Sequence, residues 1–533
     1  VKKAECAEAE PKGYTLMTEE RRLEAGLGME EAGEITPQEV IAIPEISYLS
    51  KVFRGVDWKR LLFMTVGIGL FLLVYASPHW PDAVDPMGKH FVLGREGKAA
   101  IALFLLTATW WVFEVVPIGV TSILVGVMQA LFIIRDPKVA FNDFMDPSVW
   151  FIFGSIVIGM AFTRTGLTKR MAYKMLTLVG ERTSMIYLGC FLMTGALTLI
   201  MAHTAVAAAV YPLLMAIYTL YGEEDKPTRF GKGLFIGMAF IAGAGSIVTL
   251  LGAARGAVAI GFFKDMVGRE ISFFELSYYM FPLGWAMITL LWVFFMVFFK
   301  PERKTIPGLR ERAKALNARL GRISFIEILT LVIVFAAILI LSIRSFVPFL
   351  KPLNKSAIIL VTTILFFVFN ILNIKDLEEI PWNIILLFGG AMSIGFCLWE
   401  TGAANWIAVE WLVLFQNAPA FVFIMAIAFF VLVMTNFIMN VAAIAISLPV
   451  ALVIAPYLHV APEVILFGSL ATAGMPFLLL VGAAPNAIAY ESKQFTSGEF
   501  FMAGIPASIL LMTVLALFVW VIWPLMGMPV LAQ

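Results

Sequence analysis

The chain has 533 residues, of which 61% are hydrophobic and only 14% charged, with a formal net charge of +1. A soluble domain is roughly 45–50% apolar and about 25% charged, so too little polar surface exists here to coat a soluble core of this size. A soluble enzyme, a disordered chain and a disulfide-stapled secreted fold are excluded, and no basic stripe points to a nucleic-acid partner.

Residues 1–50 stand apart, with eleven acidic and five basic residues and no long apolar run. They read as an acidic, solvated cytoplasmic tail. The first apolar stretch begins near Leu61, so no secretory signal is expected ahead of it. From there the chain divides into apolar runs of about the 20 residues that cross a bilayer. The predicted spans are 59–78, 97–116, 118–135, 148–165, 233–263, 277–299, 323–346, 356–374, 382–399, 463–490 and 500–526. Tryptophans such as Trp110, Trp150, Trp382 and Trp523 stand near their ends, as interfacial anchors do. Cys190 and Cys397 lie inside apolar runs and, with Cys6, form no metal or redox spacing.

Two stretches do not fit a simple crossing. Residues 185–220 hold 36 residues and 419–458 hold 40, without Asp, Glu, Lys or Arg. Each is too long for one crossing and too short for two crossings plus a turn. A helical hairpin that enters partway and returns fits both, with its irregular tip facing protein or a water-filled cavity. The loop 300–322 carries Lys300, Arg303, Lys304, Arg310, Arg312, Lys314, Arg319 and Arg322 against Glu302 and Glu311. Positive-inside bias places it in the cytoplasm. The first hairpin is then re-entrant from inside, the second from outside, and the C-terminus lies outside.

The second half echoes the first. Phe153-Gly154-Ser155 is matched by Phe388-Gly389-Gly390, and Thr165-Gly166 by Thr401-Gly402. MAHTAVAAAVYP is matched by IMNVAAIAISLP, aligning His203 with Asn440, and GAARGAVAI (252–260) by GAAPNAIAY (482–490). The four offsets are 235, 236, 237 and 230 residues, in one order. The copies begin on opposite sides, so the repeat is inverted. Inverted repeats with broken helices are a signature of secondary transporters, with the site where the repeats meet. The reading divides the chain into first scaffold spans at 51–147 and a first repeat at 148–276. Scaffold spans with the basic loop follow at 277–381, then a second repeat at 382–499 and a last span at 500–533.

At these residues the sequence resembles the divalent anion/sodium symporter family of dicarboxylate, citrate and sulfate carriers. The resemblance covers nearly everything after residue 50. It implies an all-α integral membrane protein of about eleven spans and two re-entrant hairpins, working as an inverted-repeat, elevator-type homodimer. In that family each hairpin tip carries Ser-Asn-Thr and each broken span a Gly-Thr-Pro-Pro-Asn-like turn, with a sodium ion beside each tip. Here the tips read Ala202-His203-Thr204 and Met439-Asn440-Val441, and the turns GAARG and GAAPN. The resemblance implies His203, Thr204, Asn440 and Asn486 as the substrate site, and Arg255, standing where the family has proline, joins them by its charge. It implies Thr198, Ala202, Gly252, Thr435, Met439 and Gly482 as the surroundings of Na+, a candidate coupling ion; no cofactor is expected.

Arg255 is a charge at membrane depth, which costs at least about 2.5–3.5 kcal/mol on insertion scales and normally faces a cavity or a partner. It either pairs with the substrate anion, replaces a bound sodium as a fixed charge, or bridges to an acid such as Glu114 or Glu327. His203, with an ordinary pKa of about 6.5, is a substrate donor, a proton carrier or a packing residue. Asn436, four before Asn440, shares its helix face. Lys264, Lys493 and Arg164 either steer anions or set topology. The function expected is secondary transport of a small anion, a di- or tricarboxylate such as succinate, or sulfate, across a bacterial plasma membrane. The alternatives are a sodium-independent exchanger, a proton-coupled carrier, a cation/proton antiporter, and, least of all, an intramembrane enzyme.

Overall fold

The computed structural model describes residues 58–84, 89–221, 227–344, 346–415, 418–437 and 439–531. The acidic segment 1–50 lies outside them. Among the described residues strand structure is confined to an antiparallel pair, β1 (Ala83–Val84) and β2 (His90–Phe91); the rest is helix and connections.

The first half runs α1 (Trp58–Ala76), α2 (Arg95–Val112), α3 (Ile118–Leu131), the short α4 (Pro137–Asn142), α5 (Pro147–Arg164), α6 (Leu167–Val179), α7 (Thr183–Leu197), α8 (His203–Tyr221), α9 (Arg229–Gly245), α10 (Ala254–Val267) and α11 (Phe273–Phe298). A polar helix, α12 (Leu309–Arg319), follows in the basic loop. The second half runs α13 (Phe325–Ile343), α14 (Lys355–Val368), α15 (Ile374–Glu378), α16 (Trp382–Glu400), α17 (Ala403–Phe415), α18 (Ala420–Phe437), α19 (Asn440–Ile454), α20 (Pro462–Ala473), α21 (Ala484–Tyr490) and α22 (Ser497–Leu517). Among the described residues nine helices are long and apolar enough to cross a membrane.

A bilayer offers no hydrogen bonds, so helix ends need local partners. Asp146 caps α5, with Pro147 in its first turn. Capping boxes of Ser324 with Glu327 and of Thr496 with Glu499 start α13 and α22. Both predicted long spans, 233–263 and 463–490, are broken, between α9 and α10 and between α20 and α21. Both predicted hairpin segments are helix pairs, α7–α8 and α18–α19, separated by only a few residues.

The repeat is visible in backbone detail. Gly166 and Gly402, 236 apart in sequence, both turn the chain with φ near +80° (82° and 75°). Ile133 after α3 and Asn370 after α14 both take φ of 53°. The next amides bond back to Gln129 at 2.9 Å and Phe366 at 2.8 Å, the wrap of a left-handed C-cap. An isoleucine is strained in that region and an asparagine is not, yet the geometry is the same. The two halves also interlock. α16 packs along α3, where a Cβ on Gly390 would lie 2.4 Å from that of Ser122. α5 packs along α14, where a Cβ on Gly154 would lie 2.3 Å from Ile359.

Charge pairs tie the halves at both ends of these helices. Arg164, last in α5, pairs with Asp376 and, at 2.8 Å, with Glu379 ahead of α16. Glu400, last in α16, pairs at 2.7 Å with Arg135 ahead of α5, and Arg135 also holds Asp143 at 2.7 Å. Equivalent positions carry opposite charges, and each meets its complement.

Candidate functional site

The first hairpin tip, Thr198–Ala202, sits directly on the first helix break, Ser246–Ala253. The His203 amide donates to the Gly252 carbonyl at 2.9 Å, and Thr249 Oγ1 donates to the Leu199 carbonyl at 2.9 Å. Thr198 Oγ1 donates to Gly195 at 2.7 Å. A Cβ on Gly252 would stand 2.6 Å from the Thr198 carbonyl and 2.7 Å from the Ser246 carbonyl. Only glycine lets these two carbonyl oxygens converge on one point.

The second tip repeats the arrangement with other groups. A Cβ on Gly482 would stand 2.8 Å from the Thr435 carbonyl. Asn436 accepts from the amides of Leu478 at 2.7 Å and Leu479 at 3.3 Å, pinning the hairpin to the second break. Thr435 Oγ1 lies 2.8 Å from Asn440 Oδ1 and 3.0 Å from the Ala473 carbonyl, and its single proton serves one of them. Asn486 donates to the carbonyls of Pro476 at 2.8 Å and Leu479 at 3.1 Å, holding the break in shape. Met439 precedes α19 as its cap.

A cavity of about 350 Å³ lies beside the first tip. Its walls are mostly apolar, from Ile152 and Met160 of α5, Leu250, and Ile384 and Phe388 of α16. Ser155, His203, Thr204 and Glu379 supply the polar groups. Two helix N-termini meet it: the first turn of α8, at His203-Thr204-Ala205, and Ala254, first residue of α10. First-turn amides lack intrahelical acceptors and carry partial positive charge, so this is an anion-attracting wall. At its far end the cavity reaches Glu379 and Pro381, beside Arg164, where α5 runs into the basic α6.

Arg255 is not on that wall. It is 2% exposed, buried behind Ala254. Its Nη2 donates to Ser246 Oγ at 2.8 Å, while Nη1 is buried without a partner. A Cβ on Gly474 would come within 2.5 Å of Nη2, so the guanidinium lies against the opening residue of the second break. The bridges to Glu114 or Glu327 are not made: Glu327 is held by Arg170 at 2.8 Å, and Glu114 lines a separate hollow with Arg60 and Asn383. Asn440 and Asn486 are likewise buried, away from the cavity. The structure therefore places His203, Thr204 and Ala202 on the cavity, and Arg255, Asn440 and Asn486 at the junction behind it.

Four residues at the candidate site are not assigned to it by the motifs, Ser155 entering only as part of the repeat. Ser246 and Thr249 are polar residues inside an apolar run just before GAARG, a signal that was available. Glu379 and Ser155 reach the cavity only because α16 and α5 pack as they do. Steering by Arg164 is limited by its pairing with Asp376 and Glu379.

At the opposite end of α5, a polar hollow of about 410 Å³ separates α10 and α5 from α13 and α14. Glu270, between α10 and α11, pairs there with Arg344 at 3.3 Å and Lys355 at 3.6 Å. Lys264 lines the same hollow. Among the described residues no cluster of His, Cys, Asp and Glu forms a metal site.

A family model, the sodium:sulfate symporter transmembrane region, matches residues 86–529. The chain belongs to the sodium:sulfate symporter family. It is similar to the sodium-dependent dicarboxylate transporter SdcS of Staphylococcus saprophyticus, 24% identical over 453 residues, covering 81% of this chain and 87% of that one. The SdcS of Staphylococcus aureus strain bovine RF122 is 25% identical over 505 residues, 90% and 95% of the two chains. In fold, the chain is similar to the YdaH transporter of Alcanivorax borkumensis, with a TM-score of 0.53 at 11% identity, covering 89% and 98%. MtrF of Neisseria gonorrhoeae gives 0.51 at 12%, covering 89% and 97%. The protein is an integral membrane transporter of the helical, broken-helix kind that its sequence implies.

Proposed function

We propose that this protein is a secondary carrier of a small divalent anion, a dicarboxylate such as succinate, with sulfate as the competing cargo. The observation that carries the reading is the cavity beside the first tip, where two helix N-termini meet a hydroxyl and an imidazole at a hairpin–break junction. The family match and the dicarboxylate carriers among its relatives support the same substrate class. In this reading Thr204, His203 and the first-turn amides of α8 and α10 bind the carboxylates. Arg255 supplies a fixed charge from behind, and Asn440 and Asn486 hold the second tip and turn in register.

Sodium travels as co-substrate. It is a hard cation served by oxygen ligands, by the logic that governs calcium and magnesium. The carbonyls of Thr198 and Ser246 converging at Gly252, and that of Thr435 at Gly482, suit it. The relatives named as sodium-dependent support this coupling. Ala202 and Met439 offer no side-chain oxygen, so the backbone does the work at both tips.

A second reading is favoured by one observation. The Arg255 guanidinium is bonded to Ser246, the same residue whose carbonyl faces Gly252. At that junction a permanent cation takes the place of sodium, and the carrier becomes a sodium-independent exchanger.

Positive-inside bias puts the basic loop, and with it the Glu379 end of the cavity, on the cytoplasmic side and the C-terminus outside. The hairpins are re-entrant, and an elevator movement of the tips and breaks in a homodimer of the plasma membrane exposes the site in turn. The test is uptake of labelled succinate into proteoliposomes, with sodium or with choline, for wild type and Arg255→Ala. Uptake that collapses without sodium supports symport. Uptake that survives choline and is lost only in the variant supports the exchanger. No uptake of succinate, citrate or sulfate under either condition overturns the substrate class.

A further inference from the structure

Beyond the cavity, at the end of the molecule that carries the basic loop, α6, α8 and α12 enclose a separate hollow of about 150 Å³. Most of its wall is aliphatic, typified by Leu213 of α8. Two cations stand on it, Lys169 of α6 and Arg312 of α12, both exposed. Neither has an acidic partner among the described residues, whereas neighbouring Arg170 is taken by Glu327 at 2.8 Å. The outer face of α8 is floored by Ala208, Pro212 and Ala216, spaced by four and exposed. This smooth strip leads from the transport cavity, which Ala208 lines, into the hollow, which Pro212 and Ala216 line.

An apolar slot with a small-residue floor suits a hydrocarbon chain, and two unpaired cations beside it suit one phosphate. Basic pockets between helices on the cytoplasmic side of a membrane take anionic headgroups for that reason. A free anion would gain nothing from the aliphatic walls, and a neutral lipid nothing from the cations. We propose that this hollow seats one anionic phospholipid of the leaflet that faces the basic loop. Its phosphate lies on Lys169 and Arg312, and an acyl chain lies against Leu213 and the strip of α8. The lipid thereby braces the helix whose first turn forms the substrate wall.

The test uses the purified full chain in lipid nanodiscs, with native mass spectrometry counting retained phosphatidylglycerol against phosphatidylcholine. Near an anionic lipid each cation contributes about fivefold, so Lys169→Gln with Arg312→Gln is expected to lower phosphatidylglycerol preference roughly 25-fold. Ala216→Trp, which fills the slot and keeps both charges, is expected to abolish retention as well. Lys174→Gln with Arg310→Gln removes the same charge from the same helices outside the hollow and is expected to change little. Excess inorganic phosphate is expected to displace nothing. Equal loss in the control pair would mean only a diffuse basic surface, and displacement by phosphate would mean a free-anion site. Retention seen only after removal of residues 1–50 would make that acidic segment the occupant. Each of these three outcomes overturns the proposal.

Discussion

Arg255 is the residue whose replacement separates folding from function most cleanly. At membrane depth a guanidinium costs at least about 2.5–3.5 kcal/mol. Here it has no acidic partner among the described residues, one nitrogen is unpaired, and one hydrogen bond reaches Ser246. A bond from a charged donor returns about 1.5–3 kcal/mol. Ser246 keeps its own bond to the Gly243 carbonyl at 2.7 Å, so removing the arginine strands no buried hydroxyl proton. Arg255→Met, which fills much of the same space without charge, is therefore expected to change stability by between about −0.5 and +2 kcal/mol, neutral to stabilising.

The effect on transport should be opposite and large. Arg255 is one residue beyond Ala254, which lines the cavity, so its charge acts on a bound anion over a distance on the order of 8 Å. With an effective dielectric of about 20, that is about 2 kcal/mol per substrate charge, or roughly 30-fold in affinity. The assay pairs thermal unfolding in detergent, with and without succinate, with uptake into proteoliposomes. The expected result is an unfolding temperature at or above wild type, no protection by succinate, and uptake reduced at least about tenfold. A Met variant that unfolds more easily by about 3 kcal/mol while retaining the wild-type KM would refute the reasoning and make Arg255 a structural pin.

Asn436→Ala should cost about 1–3 kcal/mol, because it leaves the partly buried amides of Leu478 and Leu479 without their acceptor; chemical denaturation of the detergent-solubilised protein checks this, and a cost under about 0.5 kcal/mol would contradict it. Gly474→Ala places a methyl within 2.5 Å of Ile247 and Arg255 and should destabilise by about 1–3 kcal/mol through overpacking, measured the same way. Adding Arg255→Met to Gly474→Ala should recover part of that loss, because the blocking Nη2 is gone; strict additivity would contradict the contact. Glu270 is opposed by burial, but Lys355 first and Arg344 next outweigh that and hold its carboxyl below the ordinary carboxylate value. Its contribution to stability is therefore complete above the unfolded value of about 4.3 and is lost as pH falls through the lower folded value. Glu270→Gln should flatten the unfolding temperature over that acidic window alone, and a change confined to neutral pH would count against the pairing.

Much of the fold was legible because membrane residence leaves few choices. The hydropathy runs, the two uncharged stretches and the ordered repeat each correspond to a helix, a helix pair or a break. The repeat was legible even at weak identity because its most constrained points are backbone points: Gly252 and Gly482, whose absent Cβ admits a carbonyl, and Gly166 and Gly402, which turn with positive φ. The match of Ile133 with Asn370 was invisible in the sequence. Their side chains share nothing, and only the shared φ of 53° reveals that they do the same work.

The candidate site was legible as a set of segments and not as a surface. Motif spacing located both tips and both turns, yet could not say which side of each faces a cavity. About 3.6 residues make a helical turn, so adjacent positions such as Ala254 and Arg255 can point to the cavity and to the protein interior. The same limit explains Glu379 and Ser155, brought to the cavity by helices whose partners lie in the other half of the chain. That exchange, α16 on α3 and α5 on α14, also fixes the charged ends. Arg164 is shared between Asp376 and Glu379, so it offers a passing anion little free charge, and it offsets only part of the acid at this end of the proposed anion cavity. Arg164→Gln should therefore slow anion entry by leaving Asp376 and Glu379 uncompensated, and Glu379→Gln in the same chain should restore part of the rate. A double variant no faster than Arg164→Gln would show that the pair holds the halves together without shaping the field at the mouth.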